Sequence, residues 1–229
     1  MENEVFLQTK KIEDTHWWFI NHQKLVKQHV SLKNGDLLLD VGCGTGKILT
    51  LFPLQKVVGV DINPVALSIC KEKHIPQLIQ ADAISLPFKT STFSYVLILQ
   101  VLNHQRAKDE KKILREIWRV LKPGGKVLIT EPAFEILRRT HDVVEHTKKR
   151  FKRGELKDLV KSAGFIVKKC SYIYSYAFFP ILLSKFFRRQ QSVGDLFQFP
   201  FFLNYFFKLL SFLSLPFGSS VFLLAEKQG

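Results

Sequence analysis

The sequence predicts an α/β chain: a mainly parallel sheet of seven strands, covered by helices on both faces, with an aromatic-rich helical insertion before the last strand. Three observations predict it. Short apolar runs alternate with segments of helical spacing along the first two thirds of the chain. The runs are apolar at nearly every position, as strands buried on both faces require. A glycine-rich turn closes the first run, as at the opening of a βαβ unit. Composition agrees: 46% hydrophobic and 24% charged residues fit a folded domain and exclude disorder or a collagen-like repeat.

The strands are expected at residues 37–41 (LLLDV), 57–61 (VVGVD), 77–81 (QLIQA), 94–100 (SYVLILQ), 125–131 (GKVLITE), 165–170 and 221–227 (VFLLAEK). A helix-sized segment separates the first two. After the second, Asn63 can cap and Pro64 can open a helix through Ala66, Leu67 and Cys70. Ile113, Leu114, Ile117, Val120 and Leu121 recur at helical spacing, and Pro123-Gly124-Gly125 is expected to end that helix. A further helix over 155–163 stops at Gly164. Residues 1–34 read as a helical cap, 35–174 as the α/β core, 175–219 as the insertion, and 220–229 as the last strand and tail.

The net charge of +14 favours an anionic partner: nucleic acid, a phosphorylated substrate or acidic lipid headgroups. The three cysteines, Cys43, Cys70 and Cys170, are widely spaced without a Cys/His cluster, so neither a disulfide framework nor a metal site is expected, and a reducing cytoplasmic location fits. The opening MENEVFLQTKK lacks the basic-then-apolar pattern of an export signal.

In sheets of this kind the ligand lies at the carboxyl ends of the strands, where strand order reverses. There the chain reads Asp40-Val41-Gly42-Cys43-Gly44-Thr45-Gly46. Missing side chains at Gly42, Gly44 and Gly46 let backbone approach a ligand, and amides at the N-terminus of the following helix are expected to face it. Asp61 ends the second strand, where a carboxylate can accept hydrogen bonds from two ribose hydroxyls. A nucleoside-type cofactor follows. The dinucleotide pattern itself is broken, because Lys47 stands where its last glycine belongs.

These residues resemble the class I S-adenosylmethionine-dependent methyltransferases, and within them the type 11 group. LLLDVGCGTG is similar to the first motif of that family, VVGVDINP to its ribose segment, QADAISLPF to its adenine segment, and EIWRVLKPGGKVLITEP to its helix-turn-strand. The resemblance implies a Rossmann-like, doubly wound fold, S-adenosylmethionine as cofactor and S-adenosylhomocysteine as product. It implies that Asp40, Gly42, Cys43, Gly44 and Gly46 line the methionine end, that Asp61 and Ile62 hold ribose and adenine, and that Asp82 and Ala83 meet the adenine edge. Gln100 stands at the position after the fourth strand that contacts the methionine end. Phe93-Ser94 and Asn103-His104 replace acidic pairs common in the family.

EDTHWWFINHQKLV also resembles a type 11 segment in which an aromatic helix covers the cofactor, so a clamp on the methionine carboxylate is expected from His22 or Lys24. Trp17 and Trp18 point about 100° apart on a helix, so one of them is expected to face the pocket and the other to pack. If the acceptor must lose a proton, His104 is the best-placed base, with His141 and His146 next; Trp17, His22, His141 and His146 are candidates for the acceptor side or the lid.

The acceptor is expected to be small or lipid-like. Of 21 phenylalanines, 13 lie between Phe178 and Phe222, and in 200–213 Asn204, Lys208 and Ser211 form a narrow polar stripe on a wide apolar face. The longest uncharged run there, 209–225, is broken by Pro216 and Gly218, so a spanning helix is not expected. Arg138, Arg139, Lys148, Lys149, Arg150, Lys152, Arg153, Lys185, Arg188 and Arg189 add positive charge, and an apolar face with cations suits an anionic membrane surface. Self-burial of the insertion or contact with a partner subunit are the other readings. An RNA methyltransferase, or a SAM-binding regulatory subunit, is the alternative function.

Overall fold

The computed structural model describes residues 3–105, 107, 109–187 and 216–229. Two helices open the chain, α1 (Asn3–Ile12) and α2 (Trp17–His29). Then follow β1 (Leu38–Val41), β2 (Val57–Asp61), α3 (Pro64–Glu72), β3 (Leu78–Gln80), β4 (Phe93–Leu99), α4 (Glu110–Val120) and β5 (Leu121–Pro132). The last part runs through α5 (Thr140–Val144), α6 (Arg153–Ser162), β6 (Phe165–Ile173), α7 (Ser175–Phe187) and β7 (Ser220–Lys227). The seven strands form one sheet in the order β3-β2-β1-β4-β5-β7-β6. β7 runs antiparallel to both neighbours, and the other pairings are parallel. The fold is the doubly wound α/β class that the sequence predicts.

Alternation along each strand sends successive side chains to opposite faces. Leu39, Val41, Val58, Val60, Val96, Ile98, Val127 and Ile129 meet Ile113, Leu114 and Ile117 of α4 and Leu156 and Val160 of α6 on one face. Leu38, Val57, Leu97, Leu128 and Phe222 meet Val26 of α2 and Leu67 and Cys70 of α3 on the other. Each such side chain contributes roughly 1.5–3 kcal/mol by leaving water, and together they fix the strand ends that carry the site.

Local chemistry explains the helix boundaries. Asn63 Oδ1 accepts from the Val65 amide at 2.8 Å, with Pro64 at the first helical position. Asp109 caps α4 by accepting from the Lys112 amide at 2.9 Å. Gly164, at φ +93°, turns the chain from α6 into β6.

Two expectations need correction. The segment between β1 and β2 is not an α-helix but two 3-10 turns, Leu49–Leu51 and Leu54–Lys56. Pro53 lies between them, removes an amide and biases Phe52 to extended backbone, so no α-helix propagates. The amides facing the ligand therefore belong to the glycine loop, not to a helix start. Pro123-Gly124-Gly125 does not terminate α4 either. That helix ends at Val120, and the three residues bulge from β5, where pairing jumps from Phe93↔Leu121 to Tyr95↔Lys126. The aromatic helix expected over 200–213 lies outside the described residues, as do Arg188 and Arg189. Among the described residues no helix is long and apolar enough to cross a membrane.

Candidate active site

A cavity of about 350 Å³ opens at the carboxyl ends of β1, β2, β4 and β5, beside the point where the strand order reverses between β1 and β4. The loop after β1 forms its floor. Gly42, Gly44 and Gly46 have φ of +75°, +53° and +74°, which only glycine adopts without strain. At two of the three the space is closed as well. A Cβ on Gly42 would stand 2.5 Å from Val101 Cγ2, and one on Gly46 2.5 Å from Ile75 Cδ1 and 2.8 Å from Cys70 Sγ. At Gly44 the nearest atom would be Phe6 Cε1 at 3.9 Å, so that glycine faces the open crevice between loop and cap.

Asp61 ends β2 and faces this loop. Its Oδ2 accepts from the Gly44 amide at 2.9 Å and its Oδ1 from the Asn63 amide at 2.9 Å. Burial pushes its carboxyl above the ordinary aspartate value despite those amides. Asp40, 2% exposed at the end of β1, is raised to about 7, first by burial and then by the charge of Asp61. Asp40 Oδ1 has no hydrogen-bond partner among the described residues. An acid pair with an unspent buried oxygen is a receptor for positive charge.

Ile62, Asp82 and Ala83 line one end of the cavity. Ile62 is 41% exposed and so is a wall, not core. Asp82 Oδ1 accepts from the Ile84 amide at 3.1 Å, so it both caps a turn and borders the crevice. Gln100 follows β4 at φ +60° and lines the cavity, with its amide nitrogen 3.5 Å from Thr130 Oγ1. Cys43 borders the cavity, but its thiol packs in the core 4.0 Å from the Cys70 thiol.

The cap closes over this floor. Phe6 and Thr9 of α1, Glu13 and His16 between the helices, and Trp17, Trp18, Phe19, His22 and Gln23 of α2 all line the cavity. Both tryptophans border it: Trp17, 4% exposed, packs edge-on to Tyr174 and Tyr176, while the Trp18 ring lies tilted against His22. Buried Glu13 anchors the corner, accepting from Thr45 Oγ1 and pairing with Lys73.

His22 cannot supply the cationic clamp expected of it. It is 3% exposed, and burial lowers it to about 3, so the ring is neutral at pH 7. Lys24 is exposed on α2 and does not line the cavity. The cation nearest the glycine loop on the cavity wall is Lys47, paired with Asp14.

The far end is lined by Asn103, His104, Pro132, Arg139, Asp142, Glu145, Thr147, Arg150 and Ile181. His104 bridges to Thr147, and its ring lies 5.9 Å from that of His146, which itself does not line the cavity. His141 lies on α5, and its side chain is outside the description. Sequence reasoning missed Glu131, a buried carboxylate accepting from the amides of Val101, Leu102 and Asn103 at 3.2, 2.9 and 3.1 Å. It fixes the loop that carries Gln100 and His104, and the TEP at the end of β5 was the available signal. Four of the basic residues expected to face a membrane are paired inside the chain. Arg150 forms a buried pair with Asp142, Arg138 pairs with Glu135, Lys148 with Glu110, and Lys149 with Glu110 and Glu155.

Residues 39–129 match the model of a family described as methyltransferase domain. Residues 39–129 thus carry a methyltransferase domain. Its glycine loop, Asp61 and Asp82 fall within the matched span. The tRNA (carboxymethyluridine(34)-5-O)-methyltransferase of Arabidopsis thaliana is 40% identical over 106 residues, covering 46% of this chain and 26% of that protein. The ubiquinone/menaquinone biosynthesis C-methyltransferase UbiE of Cronobacter sakazakii is 35% identical over 126 residues, covering 48% of this chain and 49% of its own length. The chain thus spans a quarter to a half of these relatives. Phosphoethanolamine N-methyltransferase 2 of Haemonchus contortus, solved with S-adenosyl-L-methionine, superposes with a TM-score of 0.63 at 25% identity, over 91% of this chain and 53% of that one. The cofactor of the methyltransferase family is S-adenosylmethionine, and the residues present fit it. The acid pair with the unpartnered Asp40 oxygen suits a cationic ligand, and the open space at Gly44 leaves room for one.

Proposed function

We propose that this chain transfers the methyl group of S-adenosylmethionine to a small or lipid-like acceptor. One observation carries the reading: the glycine loop, Asp61 and Asp82 share a single cavity with a second set of residues, Asn103, His104, Thr147 and Ile181, at the opposite end. When bound, the cofactor supplies a methyl on a cationic sulfur, which leaves as a neutral thioether when the acceptor's lone pair forms the new bond to carbon. The chain's share is to hold donor and acceptor in line at about 3–3.5 Å and to exclude water. Gly42, Cys43 and Gly44 offer backbone, while Gly46, expected beside them, does not line the cavity and packs against Ile75 and Cys70; Asp61 takes the ribose, and Ile62, Asp82 and Ala83 flank adenine. Asp40 and Gln100 face the methionine end. His104 takes the acceptor proton where the acceptor has one to lose. Trp17, Trp18 and His22 form the roof that keeps solvent out.

A small acceptor seated under the aromatic cap, beside Ile181 and the polar groups of Asn103, His104 and Thr147, is favoured over a nucleobase in a long polymer. A seat on an anionic membrane, from the cytoplasmic side, is part of the same reading. Phe179 and Leu183 of α7 are 55% and 53% exposed beside Ile181, which lines the cavity, and the aromatic insertion follows. RNA is the second reading, favoured by the 40% identity to a tRNA-modifying relative and by a groove where Arg153, Lys157, Lys168 and Lys169 converge.

The test is incubation with methyl-labelled S-adenosylmethionine and a fractionated host extract. Label is expected in the lipid or small-molecule pool. Label confined to RNA, with binding that falls steeply as salt rises, selects the second reading; cofactor binding without label in any pool leaves a regulatory subunit.

A further inference from the structure

His22 sits where three parts of the cavity meet. Its Nε2 is 3.0 Å from Thr130 Oγ1 and its Nδ1 2.9 Å from the Tyr174 hydroxyl. Trp18, one turn earlier on α2, lies tilted against its ring with centroids 3.9 Å apart. Thr130 belongs to β5 and also meets Gln100, which lines the floor. Tyr174 stands between β6 and α7, and α7 carries Ile181 on the far wall. The neighbouring Asn21 donates to the Tyr176 hydroxyl at 3.0 Å, a second tie from the same turn of α2 to α7.

Both nitrogens of the ring are thus committed in a buried setting. A neutral imidazole has one donor and one acceptor, and a hydroxyl can be either, so the chain Gln100–Thr130–His22–Tyr174 is satisfied with either tautomer. Losing one member leaves a buried polar group unpaired, which costs more than a single hydrogen bond contributes. α2 can therefore leave its seat only by breaking the ties to floor and far wall together.

We propose that His22 is a positioning residue that makes the cofactor cover and the acceptor wall close as one unit. Through Trp18 it holds the roof over the cofactor end; through Tyr174 it holds α7 at the acceptor end. The idea rests on the methyltransferase reading for its purpose but not for its geometry, so the test has an arm without ligand.

Tyr174→Phe removes one hydroxyl and keeps the ring packing, while His22→Ala removes both bonds. Amide hydrogen exchange on the unliganded chain is expected to show faster exchange in α2 as well as around α7 in Tyr174→Phe, although the substitution lies outside α2. Titration with S-adenosylhomocysteine is expected to show affinity roughly tenfold weaker in His22→Ala, the scale set by two buried hydrogen bonds. In S-adenosylhomocysteine affinity, Thr130→Val and Tyr174→Phe should be non-additive with His22 present and additive in the His22→Ala background, whereas a merely structural role would show the coupling in unfolding alone. Unchanged α2 exchange in Tyr174→Phe, or additivity in both backgrounds, overturns the proposal. If α2 and α7 exchange together while even the natural sequence binds no S-adenosylhomocysteine, the coupling stands and the cofactor reading falls.

Discussion

At the end of β1, burial and the adjacent Asp61 hold Asp40 at about 7, well above an ordinary aspartate. A carboxyl so poised responds to whatever charge enters the cavity it lines. A cationic ligand favours its ionised form, so binding expels a proton below pH 7 and affinity rises as pH climbs from about 6 to 8. Calorimetry of S-adenosylmethionine binding in buffers of different ionisation heat should detect that proton, and Asp40→Asn should abolish both proton release and pH dependence. His22 teaches the opposite lesson at the same scale. Its sequence neighbourhood pointed to a cation, but its partners Thr130 and Tyr174 lie 108 and 152 residues away. No local pattern encodes such contacts, so neither its burial nor its neutrality was legible.

Among the elements, the loop after β1 divides its glycines by task. Gly46 packs against Ile75 and Cys70, both buried, and a methyl there meets side chains that cannot retreat. Gly46→Ala should destabilise the fold by on the order of 2 kcal/mol through overpacking and left-handed backbone. Gly44→Ala meets only Phe6, so it should lower the unfolding midpoint less and cofactor affinity more. Thermal melts and ligand titrations of the two variants check this, and equal losses on both scales would contradict it. The glycines were legible because motif and strand stood side by side in the sequence. The element after them was misread because apolar spacing fits a helix and a pair of 3-10 turns equally well; only Pro53 distinguished them. The KPGG segment was misread for a related reason: Pro and Gly mark a break but not which element is broken, and here it is β5 that bulges.

For the whole molecule, buried acids set the dependence of stability on pH. Asp40 and Glu131 are raised to about 7 and about 8, so the folded chain holds protons that the unfolded chain has released. Their contribution is full below the ordinary carboxyl range and is lost as pH rises towards 8. His22, lowered to about 3, acts the other way, favouring the fold above its ordinary value and losing that contribution as pH falls. Above about 6.5 only the acids remain, and stability should fall by on the order of 1 kcal/mol per pH unit towards pH 8. Urea unfolding of the unliganded chain at pH 6.5 and 8 measures this, and Glu131→Gln should flatten the difference; a slope unchanged in that variant would argue that Glu131 is ionised in the fold.

The sheet itself was legible almost strand by strand, because strands covered on both faces must be largely apolar and β1, β2, β4 and residues 127–129 of β5 are. The floor of the cavity followed from those strand ends. The roof and the acceptor wall did not, since they are assembled from α1, α2, α7 and the loop between β5 and α6. The central claim is that the glycine loop and Asp61 hold an adenosyl sulfonium cofactor, and titration of S-adenosylhomocysteine into the natural sequence and into Asp61→Ala tests it most directly. Saturable one-site binding that Asp61→Ala abolishes is the predicted result. Equal affinity in the two proteins would contradict it.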